Sequence, residues 1–171
     1  SSLDMRFDDK DNGLTAEEII EKSSVKDLTN IFNEFGEERN SFRIARAIKE
    51  SSEEINAETL VSIISRMTAY KYRIKTYSRI FQALRIRTNN ELEHLELFLD
   101  DFIHFLKPNG RIVIISYHSM EDRMVKHKFK ELKLNEELKV LSKKPFIPKD
   151  EEISDNRRSR SAKMRVGEKI G

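Results

Sequence analysis

The spacing of apolar positions changes along the chain. From Thr15 to about Ile86 they recur every three or four residues, the repeat of helices that bury one face; towards the end they alternate, the repeat of a strand. Thr15 with Glu18, and Ser24 with Asp27, are spaced as capping boxes. They predict a short helix through about Lys22, then a second whose Val25, Leu28, Ile31, Phe32 and Phe35 form one stripe closed by Gly36. A third helix is predicted over residues 37–50, with Phe42, Ile44, Ala45 and Ile48 inward. Arg39, Arg43 and Arg46 then fall near one another on its outer face, where Glu38 or an anion such as phosphate would relieve their repulsion. Asn56 caps a fourth helix, Ala57 to Met67, packed through Leu60, Val61, Ile63, Ile64 and Met67, and Ile80, Phe81, Leu84 and Ile86 belong to a fifth that Asn89 and Asn90 break. A sixth, residues 90–106, turns Leu92, Leu95, Phe98, Leu99, Phe102, Ile103 and Leu106 to a core.

The residues that follow carry the candidate chemistry. Pro108 and Gly110 end the sixth helix, and Ile112 to Ile115 form a β-branched run that predicts a strand buried on both faces, as in a parallel sheet flanked by helices. Ser119 and Asp122 are spaced as the N-cap and N3 partner of a further helix carrying Met120, Met124, Val125, Phe129 and Leu132. In open α/β sheets ligands gather at the carboxyl ends of strands, which makes Ser116, Tyr117, His118 and Ser119 pocket candidates. A turn that only caps the next helix has the same spacing. Leu138 to Leu141 reads as a short strand, and Pro145 and Pro148 impose an extended connector. Arg158, Arg160, Ala162, Met164 and Val166 then alternate with Ser159, Ser161, Lys163 and Arg165, a strand with a basic approach. The expectation is a helical region over about residues 14–75 and a mixed sheet of three strands.

Composition narrows the classes. At 171 residues the chain has the length of one domain or slightly more. It has no Cys, which removes disulfides and thiolate chemistry and fits a reducing cytosol. The four His, at positions 94, 104, 118 and 127, lack paired ligand spacing, so no metal centre is expected. No apolar run approaches a membrane span and no signal peptide is visible, so the expected location is cytoplasmic. Charge is unevenly distributed: residues 1–110 hold 16 basic against 20 acidic groups, residues 111–171 hold 16 against 10. Asp8, Asp9 and Asp11 make residues 1–13 a solvated loop leading into the fold. Arg66 to Arg87 is basic throughout, with Tyr70, Tyr72 and Tyr77 interleaved. Cations for phosphates and rings for bases suit single-stranded nucleic acid, and a solvated loop has a similar composition.

A helix ending in Leu106-Lys107-Pro108-Asn109-Gly110 before an apolar strand resembles the fifth-strand region of class I S-adenosylmethionine-dependent methyltransferases. More specifically, residues 81–86 (FQALRI), 89–93 (NNELE), 115–123 (ISYHSMEDR) and 156–165 (NRRSRSAKMR) occur in the order found in the RsmH (MraW) family, with further matches at Leu3-Asp4-Met5-Arg6, residues 36–39 and residues 43–48. The resemblance covers nearly the whole chain. It implies an α/β fold: the C-terminal part of a Rossmann-like sheet (residues 76–171) with an all-helical substrate-recognition insert (residues 14–75). It implies S-adenosylmethionine as methyl donor and the N4 of a cytosine in 16S ribosomal RNA of the small subunit as acceptor. Asp4, Arg6, Ser116, His118 and Ser119 would face the pocket, and Arg39, Arg43, Arg79, Arg157, Arg158 and Arg160 would contact RNA. The family's glycine-rich donor turn is absent: the glycines are 13, 36, 110, 167 and 171. The expectation is therefore a partial chain that lacks the N-terminal donor-binding half, is inactive alone, and leaves Ile112–Ile115 as an apolar sheet edge. Ile74 to Ser78 departs from the family's His-Pro-Ala-Thr-like run, and Asn109, Tyr117 and Met120 are smaller departures. The rival reading is a non-catalytic RNA-binding or helical interaction module.

Overall fold

A computed structural model describes residues 2–8 and 13–171; Asp9 and Asp11 of the acidic leading loop lie outside them. The chain divides into two compact units, Ser1–Glu91 and Leu92–Gly171.

The first unit is helical: α1 (Ala16–Lys22), α2 (Val25–Glu34), α3 (Ser41–Glu50), α4 (Ala57–Met67), a 3-10 turn (Tyr70–Tyr72) and α5 (Arg73–Asn89). The side chains of Thr15, Ser24 and Asn56 each accept the N3 backbone N–H, and their own backbone N–H groups donate to the N3 side chain, so all three predicted caps form. α5 is the central member, packing on α1, α2 and α4. Residue 75, the expected end of the insert, lies inside it. Asn90 closes α5 in the left-handed conformation (φ 48°).

Two details differ from the periodicity. Residues 37–40 form a turn, not helix: the Glu38 N–H donates to Phe32 O at 3.1 Å and Glu37 takes φ 50°. The buried stripe of α3 is then Ser41, Ile44, Ala45 and Ile48, which leaves Phe42 one step off it and 55% exposed. Val61 is displaced in the same way from the Leu60, Ile63, Ile64 stripe and is exposed. Gly36 is required for closeness, not for backbone sign, since a Cβ there would lie 2.7 Å from the carbonyl oxygens of both Arg79 and Phe32.

The second unit contains most of α6 (Glu91–Phe105), then β1 (Arg111–Ser116), α7 (Ser119–Leu134), β2 (Leu138–Val140), α8 (Asp150–Asp155), a 3-10 turn (Arg157–Ser161) and β3 (Lys163–Lys169). The sheet order is β1-β3-β2 and both pairings are antiparallel, with Val113 opposite Val166 and Val140 opposite Gly167. The expected mixed sheet is antiparallel throughout, because β3 lies between β1 and β2 and runs against both. Its core joins Leu99, Phe102 and Ile103 of α6 to Val125, Phe129 and Leu132 of α7, with Ile112 and Ile114 packed against them. Helices of this unit cover that face alone: Val113 and Ile115 are 54% and 52% exposed, against the expectation of burial on both faces. β1 is also an outer strand of the sheet.

The basic approach to β3 is a 3-10 turn and not a strand. Ser159 Oγ donates to Asn156 O at 2.8 Å and the Ala162 N–H to Ser159 O, which winds the chain locally before the ladder begins at Lys163. Arg165 then points inward, 7% exposed. Its Nε and Nη2 donate to Asp122 Oδ1 and Oδ2 at 2.7 and 3.2 Å, and Lys163 Nζ stands 3.5 Å from the same carboxylate. Burial pushes the Asp122 carboxyl up, but Arg165 and then Lys163 more than offset this and hold it below the ordinary value.

Asp122→Ala leaves a buried guanidinium without its counter-charge, which costs about 3–5 kcal/mol. We expect thermal unfolding of this unit to fall by more than about 10 °C, and Asp122→Leu with Arg165→Met to recover most of the loss. Because the native carboxyl is lowered, the contribution is present above the unfolded-state pKa and is lost as pH falls through the native one. The gap between wild type and Asp122→Ala should therefore narrow in acid. A gap that persists at acid pH would assign the loss to packing.

Candidate functional site

β1 runs directly into α7, and the turn between them is closed by its own side chains. The N-cap of α7 is His118, one residue before the predicted Ser119. Its Nδ1 accepts the Glu121 N–H at 3.4 Å, which puts the proton of the neutral ring on Nε2. Glu121 Oε2 in return accepts the N–H groups of Tyr117 and His118 at 2.8 and 3.3 Å. Nε2 is buried, 3.4 Å from Glu121 Oε1 without the alignment of a hydrogen bond. Burial pushes the Glu121 carboxyl up, and the adjacent His118 ring and the Tyr117 N–H more than compensate, so it lies below its ordinary value.

Beside this turn lies an open groove of about 440 Å³, lined by Tyr117, His118 and Ser119 of the turn and by Ile147, Pro148, Arg160 and Lys163. Asp150 and Ile153 of α8 also line it. The structure thus brings His118, Ser119 and Arg160 together, while Ser116 is buried at the end of β1 and does not line the groove. Pro145 and Pro148 imply only an extended connector, and the presence of Ile147 and Pro148 in the groove lining is not signalled by the sequence. Arg157 and Arg158 are exposed with Arg160 around the buried Ser159, so the 3-10 winding turns all three guanidinium groups to solvent.

The Leu3-Asp4-Met5-Arg6 segment belongs to the first unit. Leu3 is buried in the helical core, and the carbonyls of Leu3 and Asp4 accept the N–H groups of Glu17 and Ala16 at the start of α1. Asp4 and Arg6 form a two-pronged ion pair, Nε to Oδ1 at 2.6 Å and Nη2 to Oδ2 at 2.8 Å, and the guanidinium holds the Asp4 carboxyl below its ordinary value. Between them Met5 has φ 63°. Asn89 clamps this conformation: its Nδ2 donates to Met5 O at 3.0 Å and to Arg85 O, and its Oδ1 accepts the Phe7 N–H at 2.9 Å. From the sequence Asn89 is a helix breaker and part of a motif, but no spacing rule links it to Met5, 84 residues away.

The remaining arginine candidates separate by partner. Arg39 and Arg43 are exposed, and Arg46 pairs with Glu50 at 3.3 Å. Glu38 does not answer this trio; it is 2% exposed and takes Arg79 Nη1 at 3.4 Å, together with the Asn40 N–H. Arg79 is thus tied into the helical fold. Arg165, grouped with the basic approach from sequence, is wholly structural.

An α/β chain with a basic, open groove after its first strand narrows the class, and comparison with known proteins names the family. A model described as the MraW methylase family matches residues 1–170, and the chain belongs to that family of methyltransferases. It is 47% identical to the ribosomal RNA small subunit methyltransferase H of Trichodesmium erythraeum over 98% of its own length and 59% of that protein. Against the proteins of the same description from Nostoc punctiforme and a Synechocystis species it is 48% and 49% identical, over 99% and 98% of its length and 57% and 55% of theirs. The chain therefore spans somewhat more than half the length of these relatives. No helix among the described residues is long and apolar enough to cross a membrane.

A methyl donor of the nucleoside type needs a turn where backbone comes close to the ligand. Here the turn from β1 into α7 holds Tyr117 and His118, not glycine, and its N–H groups are taken by Glu121. No described glycine has positive φ. The turn from β1 into α7 is therefore not a glycine turn of that kind.

Loss of the clamp should show locally. In Asn89→Ala, hydrogen exchange across residues 2–8 should speed up by roughly tenfold, the equivalent of one to two hydrogen bonds, while amides of α2 and α4 keep their protection. Unchanged exchange in the leading segment would mean that the contacts of Leu3 with α1 alone fix the loop.

Proposed function

We propose that this chain is the substrate-facing, C-terminal portion of an enzyme that transfers methyl from S-adenosylmethionine to the N4 of a cytosine in 16S ribosomal RNA, acting on the small ribosomal subunit in the cytoplasm. The observation that carries the reading is the match to the methylase family across residues 1–170. On this reading the antiparallel strands complete a Rossmann-like sheet whose other strands belong to the length of the relatives that this chain does not span. The helical unit is then the inserted substrate-recognition domain. The donor would be held chiefly by that other portion, consistent with the absence of a donor turn here.

Each region has a task that its chemistry fits. The exocyclic amine of cytosine is a weak nucleophile because its lone pair conjugates with the ring, so transfer depends on position and on an acceptor for its N–H. A cytosine within structured RNA must also leave its stack to be reached. The groove, whose lining includes Ser119 and Tyr117 together with the apolar Ile147 and Pro148, suits a flat base. Within the helical unit, Asp4 paired with Arg6 is a fixed acceptor, and in the other unit Ser116 is buried where β1 enters the turn. The exposed Arg157, Arg158 and Arg160 fit phosphates, with Arg39 and Arg43 as further contacts. Arg79, paired with Glu38, would reach a phosphate only through the exposed part of its guanidinium.

Titration calorimetry of these 171 residues with S-adenosylmethionine tests the division of labour. We expect no micromolar binding and no methyl transfer to 16S fragments, with both present in a protein of the relatives' full length. One-to-one micromolar binding by these residues alone would falsify the division. The RNA assignment is checked separately by replacing Arg157, Arg158 and Arg160 with Ala. Affinity for a 16S decoding-region fragment should fall, and the log-log salt slope should flatten by roughly 0.7–0.9 for each lost phosphate contact. An unchanged slope would remove these arginines from the interface.

A further inference from the structure

Residues 59–90 contain no acidic side chain, and their middle displays two of three tyrosines. Tyr70 is 85% and Tyr72 53% exposed, on the 3-10 turn that leads into α5. Each ring has a cation over it: the Arg73 guanidinium carbon is 5.5 Å from the Tyr70 centroid, and Lys71 Nζ is 4.9 Å from that of Tyr72. Arg73 is itself fastened, its Nε donating to Thr68 O at 3.2 Å. The third tyrosine has a different role. Tyr77 shares a 2.6 Å hydrogen bond with Ser65 Oγ and packs against the helical core, and the buried Thr76 and Ile80 fix the same helix end. Two exposed, cation-backed rings thus stand on an anchored turn, where they bury little and add little to the fold.

We propose that Tyr70 and Tyr72 form a stacking platform for two unpaired bases of an RNA strand, with Lys71, Arg73 and Lys75 meeting its phosphates. The inference rests on the RNA-acting reading above and adds a contact that the family resemblance does not supply, since this stretch adjoins the departure at Ile74–Ser78. An aromatic face accepts any base, and a cation held against its other side strengthens the pair. Duplex RNA buries its base faces and offers the rings nothing. An anionic membrane fits less well: Ile74 is the apolar neighbour of the rings, while Lys75, Ser78 and Arg79 keep the exposed side of α5 polar where insertion needs a continuous apolar face.

Fluorescence anisotropy with a labelled 12-nucleotide oligouridine tests the platform, alongside a 12-base-pair RNA duplex, phosphatidylserine vesicles and a 16S decoding-region fragment. Tyr70→Ala with Tyr72→Ala should weaken oligouridine binding at least tenfold with the salt slope unchanged, and Tyr70→Phe with Tyr72→Phe should restore it. Lys71→Ala with Lys75→Ala should instead flatten the slope by about 0.7 per lost contact. Both rings are exposed, so circular dichroism melts of the variants should overlay that of the parent. Equal affinity of the tyrosine-to-alanine variant and the parent, preference for duplex, or binding confined to vesicles would each overturn the proposal. If the 16S fragment binds parent and tyrosine variant alike, the platform fails and the methyltransferase reading stands. If the full-length protein transfers no methyl to 16S RNA while the tyrosine effect on oligouridine holds, the reading fails and the platform stands.

Discussion

The second unit is organised by a single buried ion pair. Asp122 lies in the first turn of α7 and Arg165 in the middle of β3, the strand that pairs with both others, so their two-pronged contact fixes the helix against the centre of the sheet. Charges removed from water are tolerated only with such geometry. What the pair positions is the end of α7 that carries the His118 and Glu121 cap, and hence that part of the groove lining. Ile147 and Pro148, which also line the groove, are tied to the same strand, because Phe146 pairs with Met164 just before them. Both lining segments thus share β3 as their reference.

Local chemistry was legible in the sequence, and contacts between distant segments were not. The caps at Thr15, Ser24 and Asn56 depend on residues three apart, and spacing alone locates them. The strands at Ile112, Leu138 and Met164 followed from β-branching and alternation, yet alternation carries no sign of direction, so the antiparallel order was beyond it. At α7 the expectation missed by one residue because the usual capping side chains are Ser, Thr, Asp and Asn. An imidazole nitrogen accepts an N–H equally well, and that released Asp122 for Arg165.

The arginines show the same limit more sharply. Composition marks both Arg79 and Arg165 as members of basic runs, but one is held by a buried Glu38 and the other by Asp122. Arg157, Arg158 and Arg160 differ from them in position relative to Ser159, whose buried hydroxyl winds the turn and leaves its neighbours facing water. A run of like charge is therefore sorted into scaffold and surface by acids 41 and 43 residues away in sequence, and no window of ordinary length contains both members of either pair.

The left-handed backbone of Met5 has a consequence for how this molecule tolerates change. A side chain bearing a Cβ costs about 1–2 kcal/mol in that conformation, and the carbonyl of Met5 is one of the three backbone groups that Asn89 grips. A glycine there would relieve the strain while giving the unfolded chain more freedom to lose. It would also weaken the preference that keeps Asp4 and Arg6 on a single short arc. The position is thus one where thermostability and the display of a charged pair pull a substitution in opposite directions, and a screen that rewards only heat resistance could drift away from the shape of this loop without any visible defect in the helices beneath it.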